Sequence, residues 1–134
     1  MTPSRFLLAC ALALASCRRA QAPLPDLFTE SVGGWHRTSL KEPAPSAAPD
    51  AVPPSTIERI REAKYEGMGK LDARVYQLTS AAAALDLVQR WKPAADTVFF
   101  YNDRFFVLIQ WQTADRKALQ EFVGALEKKF PARQ

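Results

Sequence analysis

Thr97-Val98-Phe99-Phe100-Tyr101-Asn102-Asp103-Arg104-Phe105-Phe106-Val107-Leu108-Ile109-Gln110-Trp111 is the stretch that decides the fold. Two runs rich in β-branched and aromatic residues flank Asn102-Asp103. Asn and Asp tolerate positive φ, as a two-residue primed turn demands. The stretch predicts a hairpin that sets Tyr101 opposite Arg104, Phe100 opposite Phe105, Phe99 opposite Phe106 and Val98 opposite Val107. Because side chains alternate along a strand, one face collects Val98, Phe100, Phe105, Val107, Ile109 and Trp111. All are apolar, and this face is the expected seat for helices. The other face collects Thr97, Phe99, Tyr101, Arg104, Phe106, Leu108 and Gln110, an unusual mixture for a solvent face.

Helices are expected on both sides of the hairpin. Downstream, Leu119, Phe122, Val123, Leu126 and Phe130 recur at helical spacing over residues 113–130. Thr113 is the expected cap, Asp115 favours the positive end, Lys128 and Lys129 favour the negative end, and Pro131 closes the helix. Upstream, residues 80–91 carry Ser80 as a cap, a run of alanines of high helix propensity, and a stripe of Ala84, Leu85, Val88 and Trp91. Pro93 stops this helix. Both helices are amphipathic, so both are expected on the apolar hairpin face.

The chain before residue 80 is less regular. Residues 35–40 read as a strand after Gly33-Gly34. Residues 41–54 hold Pro43, Pro45, Pro49, Pro53 and Pro54, which lack the backbone donors that regular structure needs. This is a Pro-rich loop inside the domain. Residues 56–63 read as weakly helical, from Ile57 and Ile60 at i, i+3. Residues 64–66 and 71–78 read as strands, with a hairpin turn at Gly67-Met68-Gly69. The fold class is α+β: a single small domain over residues 34–134, with a mainly antiparallel sheet and two helices on one face.

The amino-terminal residues are of another kind. Arg5 precedes an apolar run over residues 6–16, far short of the roughly 20 residues that span a bilayer. Leu14-Ala15-Ser16-Cys17 follows directly and resembles the lipobox of bacterial lipoprotein signal peptides. The resemblance implies that residues 1–16 are a cleaved signal peptide. It also implies that Cys17 carries a diacylglyceryl group and an amide-linked acyl chain, and that residues 17–33 are a tether. A secretory peptide cut near Ala20-Gln21-Ala22 is the alternative. Position 18 is Arg and not Asp, which resembles the sorting pattern of outer-membrane lipoproteins. The expected location is thus the periplasmic side of the outer membrane, in the cell envelope. Arg18 and Arg19 lie where they favour anionic headgroups by about 1 kcal/mol each.

Loss of Arg5 with the leader leaves 17 basic against 14 acidic residues, a formal charge of +3. The basic residues are scattered, unlike the clustered face of a nucleic-acid binder, so no nucleic-acid partner is expected. Cys10 would leave with the leader and Cys17 would carry lipid, so no disulfide is expected within the mature chain.

A second resemblance rests on Gly34-Trp35 after a short apolar approach, on Tyr76, and on Ser80 leading an Ala-rich helix to Trp91. Over residues 24–130 these are similar to an uncharacterised family of bacterial exported domains. That family implies an α+β fold and export, and carries no activity or site residues across.

Catalytic patterns are missing from the sequence. His36 is the single histidine. There is no HExxH, CxxC or GxSxG pattern, so no metal, no cofactor and no nucleophilic triad is expected. Asp72, Asp86, Asp96, Asp103 and Asp115 each suit a turn, a cap or a helix surface. Gly67-Met68-Gly69 lacks the Lys-Ser/Thr pair of a phosphate loop. The sequence therefore points to a non-enzymatic, lipid-anchored accessory module that binds an envelope protein. The alternative is a receptor for a small ligand or glycan. In either case the candidate binding face is Phe99, Tyr101, Arg104, Phe106 and Leu108, unless residues 24–28 or the Pro-rich loop cover it. A flat apolar patch would favour a protein partner, and a concave site with converging polar groups a small ligand.

Overall fold

The computed structural model describes residues 23–131. The lipobox residues Leu14, Ala15, Ser16 and Cys17 lie outside them. In chain order the elements are β1 (Ser31–Val32), β2 (Trp35–Lys41), β3 (Ile57–Gly67), β4 (Gly69–Leu78), α1 (Ala81–Arg90), β5 (Thr97–Asn102), β6 (Phe105–Ala114) and α2 (Arg116–Glu127). The strands form one antiparallel sheet in the order β1-β2-β3-β4-β6-β5. The α+β class and the single small domain are as the sequence predicts.

The placement of the helices is not as expected: they lie on opposite faces. The α2 residues Leu119, Phe122 and Leu126 pack with Phe105, Val107 and Ile109 of β6 and with Tyr65, Leu71, Ala73 and Val75. The α1 residues Ala84 and Leu87 pack with Phe106, Ile60, Tyr76 and Leu78 on the reverse side. The cause is visible in β6. Phe105-Phe106-Val107-Leu108-Ile109 is apolar at every position, so burying one face leaves Phe106 and Leu108 bare on the other. A strand that is apolar on both sides needs cover on both. Within α1 the buried stripe is Ala84 and Leu87, with Val88 and Trp91 partly buried. Leu85 is exposed instead of inward-facing.

The hairpin register also differs. Asn102 pairs with Phe105, Tyr101 with Phe106 and Phe100 with Val107, so the loop residues are Asp103 and Arg104. Asp103 takes the positive φ, at 52°. The shift moves each partner by two positions, so every side chain that stays in the strands keeps the face read from the sequence, while Arg104 passes into the loop.

Residues 57–63 are strand and not the expected weak helix, and they run on into the strand expected at residues 64–66. The register of β3 against β4 shifts between Ile57 and Arg59. This irregularity puts Ile57 and Ile60 in the same buried cluster three residues apart. It thereby imitates a helical spacing inside a strand. The glycine turn is as read: Gly67 pairs with Gly69 and Met68 is exposed at its tip.

The folded unit begins upstream of residue 34. Leu27, Phe28 and Val32 are buried in the α2-side core. The Lys129 ammonium donates to the carbonyls of Asp26 (3.2 Å) and Leu27 (2.9 Å) and to Thr29 Oγ1 (3.0 Å). Arg37 Nη1 donates to the Phe28 carbonyl at 2.6 Å and Tyr65 Oη to the Thr29 carbonyl at 2.7 Å. Of the described residues expected to form a tether, Leu27, Phe28 and Val32 are core and Ser31–Val32 is a strand.

Tyr65 ties this packing to pH. Burial is the main cause that pushes its phenol up to about 12; Asp26 adds to it and Arg37 opposes it. A raised folded value means that the stabilisation is intact below about pH 10, the unfolded value, and is lost as pH rises toward 12. Chemical denaturation between pH 9 and 12 should show a loss on the order of 2 kcal/mol. Tyr65→Phe should flatten that part of the profile. An unchanged slope in the Phe variant would assign the alkaline loss to other groups.

Candidate functional site

Four residues of the sequence-predicted face, Phe99, Tyr101, Phe106 and Leu108, are brought together, but not as an open surface, and Arg104 lies apart from them in the hairpin loop. Phe106 is fully buried, and Phe99, Tyr101 and Leu108 are half-buried in the α1-side cluster. Trp91 at the end of α1 packs on Phe99 and Phe106, with ring centroids 6.4 and 5.1 Å apart. Val52 of the Pro-rich loop is wholly buried in the same cluster. Leu27 and Phe28, the other expected cover, lie on the opposite face. Arg104 is 5% exposed; it pairs with Glu58 at 2.9 Å and lies 5.0 Å from the Phe105 ring. Its cation is spent within the fold.

Beyond α1 the same sheet face is charged. Register places Lys41, Glu62 and Arg74 across from one another, and likewise Lys64 and Asp72. Arg74 pairs with Glu62 and donates to Tyr76 Oη at 3.1 Å. Burial lowers the Arg74 pKa, but the bonds to Tyr76 and Glu62 outweigh it and raise the net value. Alternating signs across a ladder stabilise pairing and give this region a structural explanation. His36 is exposed at the rim, with Nδ1 3.4 Å from Ser31 Oγ. Among the described residues no group of three His, Cys, Asp or Glu side chains is placed to hold a metal ion. Among them, too, no helix is long and apolar enough to cross a membrane.

A concave site lies elsewhere, between α2 and the β5 end of the sheet. It has a volume of about 580 Å³. Val98, Trp111, Ala114, Leu119 and Val123 give it apolar surface, and Asp96, Arg116, Gln120 and Glu127 add polar groups. The local sequence explains how it forms. Asp115 caps α2 by accepting from the Ala118 N–H at 3.1 Å, in place of the expected Thr113, which belongs to β6. The cap starts α2 immediately after β6, so the helix folds back over the sheet. Trp35 Nε1 donates to the Ala118 carbonyl at 3.1 Å, and Phe122 packs edge-on against Trp35 and Tyr65. These contacts draw α2 toward β2 and β3. The β5 side of the helix is left with less to fill it.

Gly124 lies in this cleft, in the interior of α2. A Cβ placed on it meets nothing within 4 Å. Glycine inside a helix costs roughly 0.5–1 kcal/mol relative to alanine, and no contact within the chain requires it here. Asp96, at the mouth, has a φ of 60°, a left-handed conformation that Asp adopts more readily than most residues.

The sequence reading missed this site. Trp111, Leu119 and Val123 read as core residues, and Asp96 as one of the acids that suit a turn, a cap or a helix surface. Gly124, inside a strongly periodic helix, is the signal that the sequence carries. No protein-family model, curated protein sequence or solved structure matches the chain.

Proposed function

We propose that the protein is a lipid-anchored binding module of the cell envelope, without a catalytic role, and that it takes its ligand in the α2–β5 cleft. The observation that carries this reading is the open apolar cleft itself, with Gly124 in its wall at a helix position where no contact within the chain requires glycine. The volume falls within the roughly 300–1,000 Å³ of ordinary ligand sites. Concavity with polar groups at the margin favours a compact apolar group over a flat protein surface. The aromatic face expected to serve this purpose is occupied by α1 instead.

Gly124→Ala should raise stability by about 0.5–1 kcal/mol, since the added methyl meets open space. Gly124→Leu should fill the cleft and abolish the fluorescence gain of 1-anilinonaphthalene-8-sulfonate on binding. Undiminished dye binding by the Leu variant would remove the cleft from consideration.

Anchoring rests on the lipobox resemblance at Leu14 to Cys17. Two or more acyl chains suffice for stable attachment. With Leu27 already in the core, nine residues separate it from Cys17, a reach of about 30–35 Å when extended. The domain would therefore work close to the membrane. Cys17→Ser should abolish lipid labelling and leave precursor or soluble protein. Normal processing and full membrane retention of that variant would rule the anchor out.

A further inference from the structure

We propose that the occupant of the cleft is an extended peptide segment of a partner protein, which adds to β5 as a seventh strand and places one apolar side chain between β5 and α2. This rests on the cleft as the binding site and adds the chemistry of what enters it. β5 is the terminal strand of the sheet. Trp111 N–H donates to the Asp96 carbonyl at 3.0 Å, which makes these two a hydrogen-bonded pair. With the register unbroken to Asn102, the next such pairs are Val98 with Ile109 and Phe100 with Val107. The backbone N–H and C=O groups of Thr97 and Phe99 therefore point away from β6, where no described strand pairs with them.

The two edges of the sheet are treated differently. The far edge carries the usual protections: β1 is two residues long, β2 has a register irregularity between Arg37 and Ser39, and β2 ends in Lys41. β5 has none of these. Thr97-Val98-Phe99-Phe100-Tyr101-Asn102 contains no proline and no charge, and its register is continuous. Such an edge is a template for another strand, and proteins that do not use one normally block it. Strand addition takes affinity from backbone bonds and specificity from pockets that receive alternate side chains. The cleft beside Val98 is such a pocket, and the gap at Gly124 leaves room for the side chain. Asp96 and Glu127 outnumber Arg116 at its margin, so a basic residue two positions from the apolar one, on the same face of the added strand, is favoured.

The test uses the full-length chain and a displayed library of random heptapeptides. Enriched peptides should share an apolar residue with a basic residue two positions away, and the synthesised peptide should bind at micromolar Kd. It should slow exchange of the Thr97 and Phe99 amide protons at least tenfold. Gly124→Leu should weaken binding at least tenfold. Peptides that occupy the cleft without protecting those two amides would overturn strand addition. So would a failure to enrich any peptide while the dye still enters the cleft, and the cleft reading would then stand alone. If the dye fails as well, both readings fall. Protection of the same amides without peptide, accompanied by a concentration-dependent rise in mass, would assign the edge to a second copy of this chain.

Discussion

Phe122→Ala lowers the stability of the fold by about 3–5 kcal/mol, while Glu121→Ala beside it changes stability by under about 0.5 kcal/mol. Phe122 is 0% exposed. Its ring meets Tyr65 and Trp35 edge-on, at centroid distances of 5.0 and 6.0 Å. Truncation removes the buried area and leaves a cavity that cannot collapse readily. Tyr65 is held by the Thr29 carbonyl and Trp35 by the Ala118 carbonyl. Urea denaturation of both variants measures the contrast. Equal midpoints would mean that α2 does not present this face to the sheet. The loss extends beyond α2, because Tyr65 also anchors the segment before β1.

Gly69→Ala costs on the order of 3 kcal/mol or more, and no rotamer change relieves it. Gly69 has a φ of 133°, a region open to glycine and costly for other residues. A Cβ there would lie 1.9 Å from the Thr113 carbonyl oxygen and 2.6 Å from its carbon. Both are backbone atoms, so the clash must be relieved by separating β4 from β6. The damage falls where β6 hands over to α2: Asp115, the residue that caps the helix, donates its N–H to the Met68 carbonyl at 3.1 Å. Gly69→Ala should therefore reduce dye binding in the cleft as well as the thermal midpoint. Gly33→Ala is the useful comparison. It shares a positive φ, at 58°, but meets nothing within 4 Å, so its cost is strain alone. A variant at Gly69 no less stable than one at Gly33 would show that the close approach carries no energy.

Several elements were legible because their signal is local. The two hairpins follow from glycine, Asn and Asp at turns. The faces of β5 and β6 follow from strict alternation, which survives a two-residue shift in register. The inward face of α2 follows from its helical spacing, and Leu119, Phe122, Leu126 and Phe130 are buried as read. The capping of α1 by Ser80 is likewise as read, with Oγ accepting from the Ala83 N–H at 3.1 Å.

The misreadings share a different origin. Ile57 and Ile60 have the spacing of a helix, and only the pairing of β3 with β4 shows that a register irregularity produces it. Leu27 and Phe28 carry no periodicity; the Leu27 carbonyl is held by Lys129, about a hundred residues away in sequence, and the Phe28 carbonyl by Arg37. An aromatic face can be identified by alternation, but alternation does not say what covers it. That depends on the path of α1 between β4 and β5, set by contacts with both. By itself the sequence determined β2, β4, β5 and β6, the places where the chain turns back, and the inward sides of β5, β6 and α2, because those depend on neighbours a few residues away. Tertiary structure decided which helix took which face, and hence that the aromatic surface is closed and the α2–β5 cleft open. The physical reason is that a helix goes to whichever apolar surface remains uncovered, and that is a property of the assembled sheet.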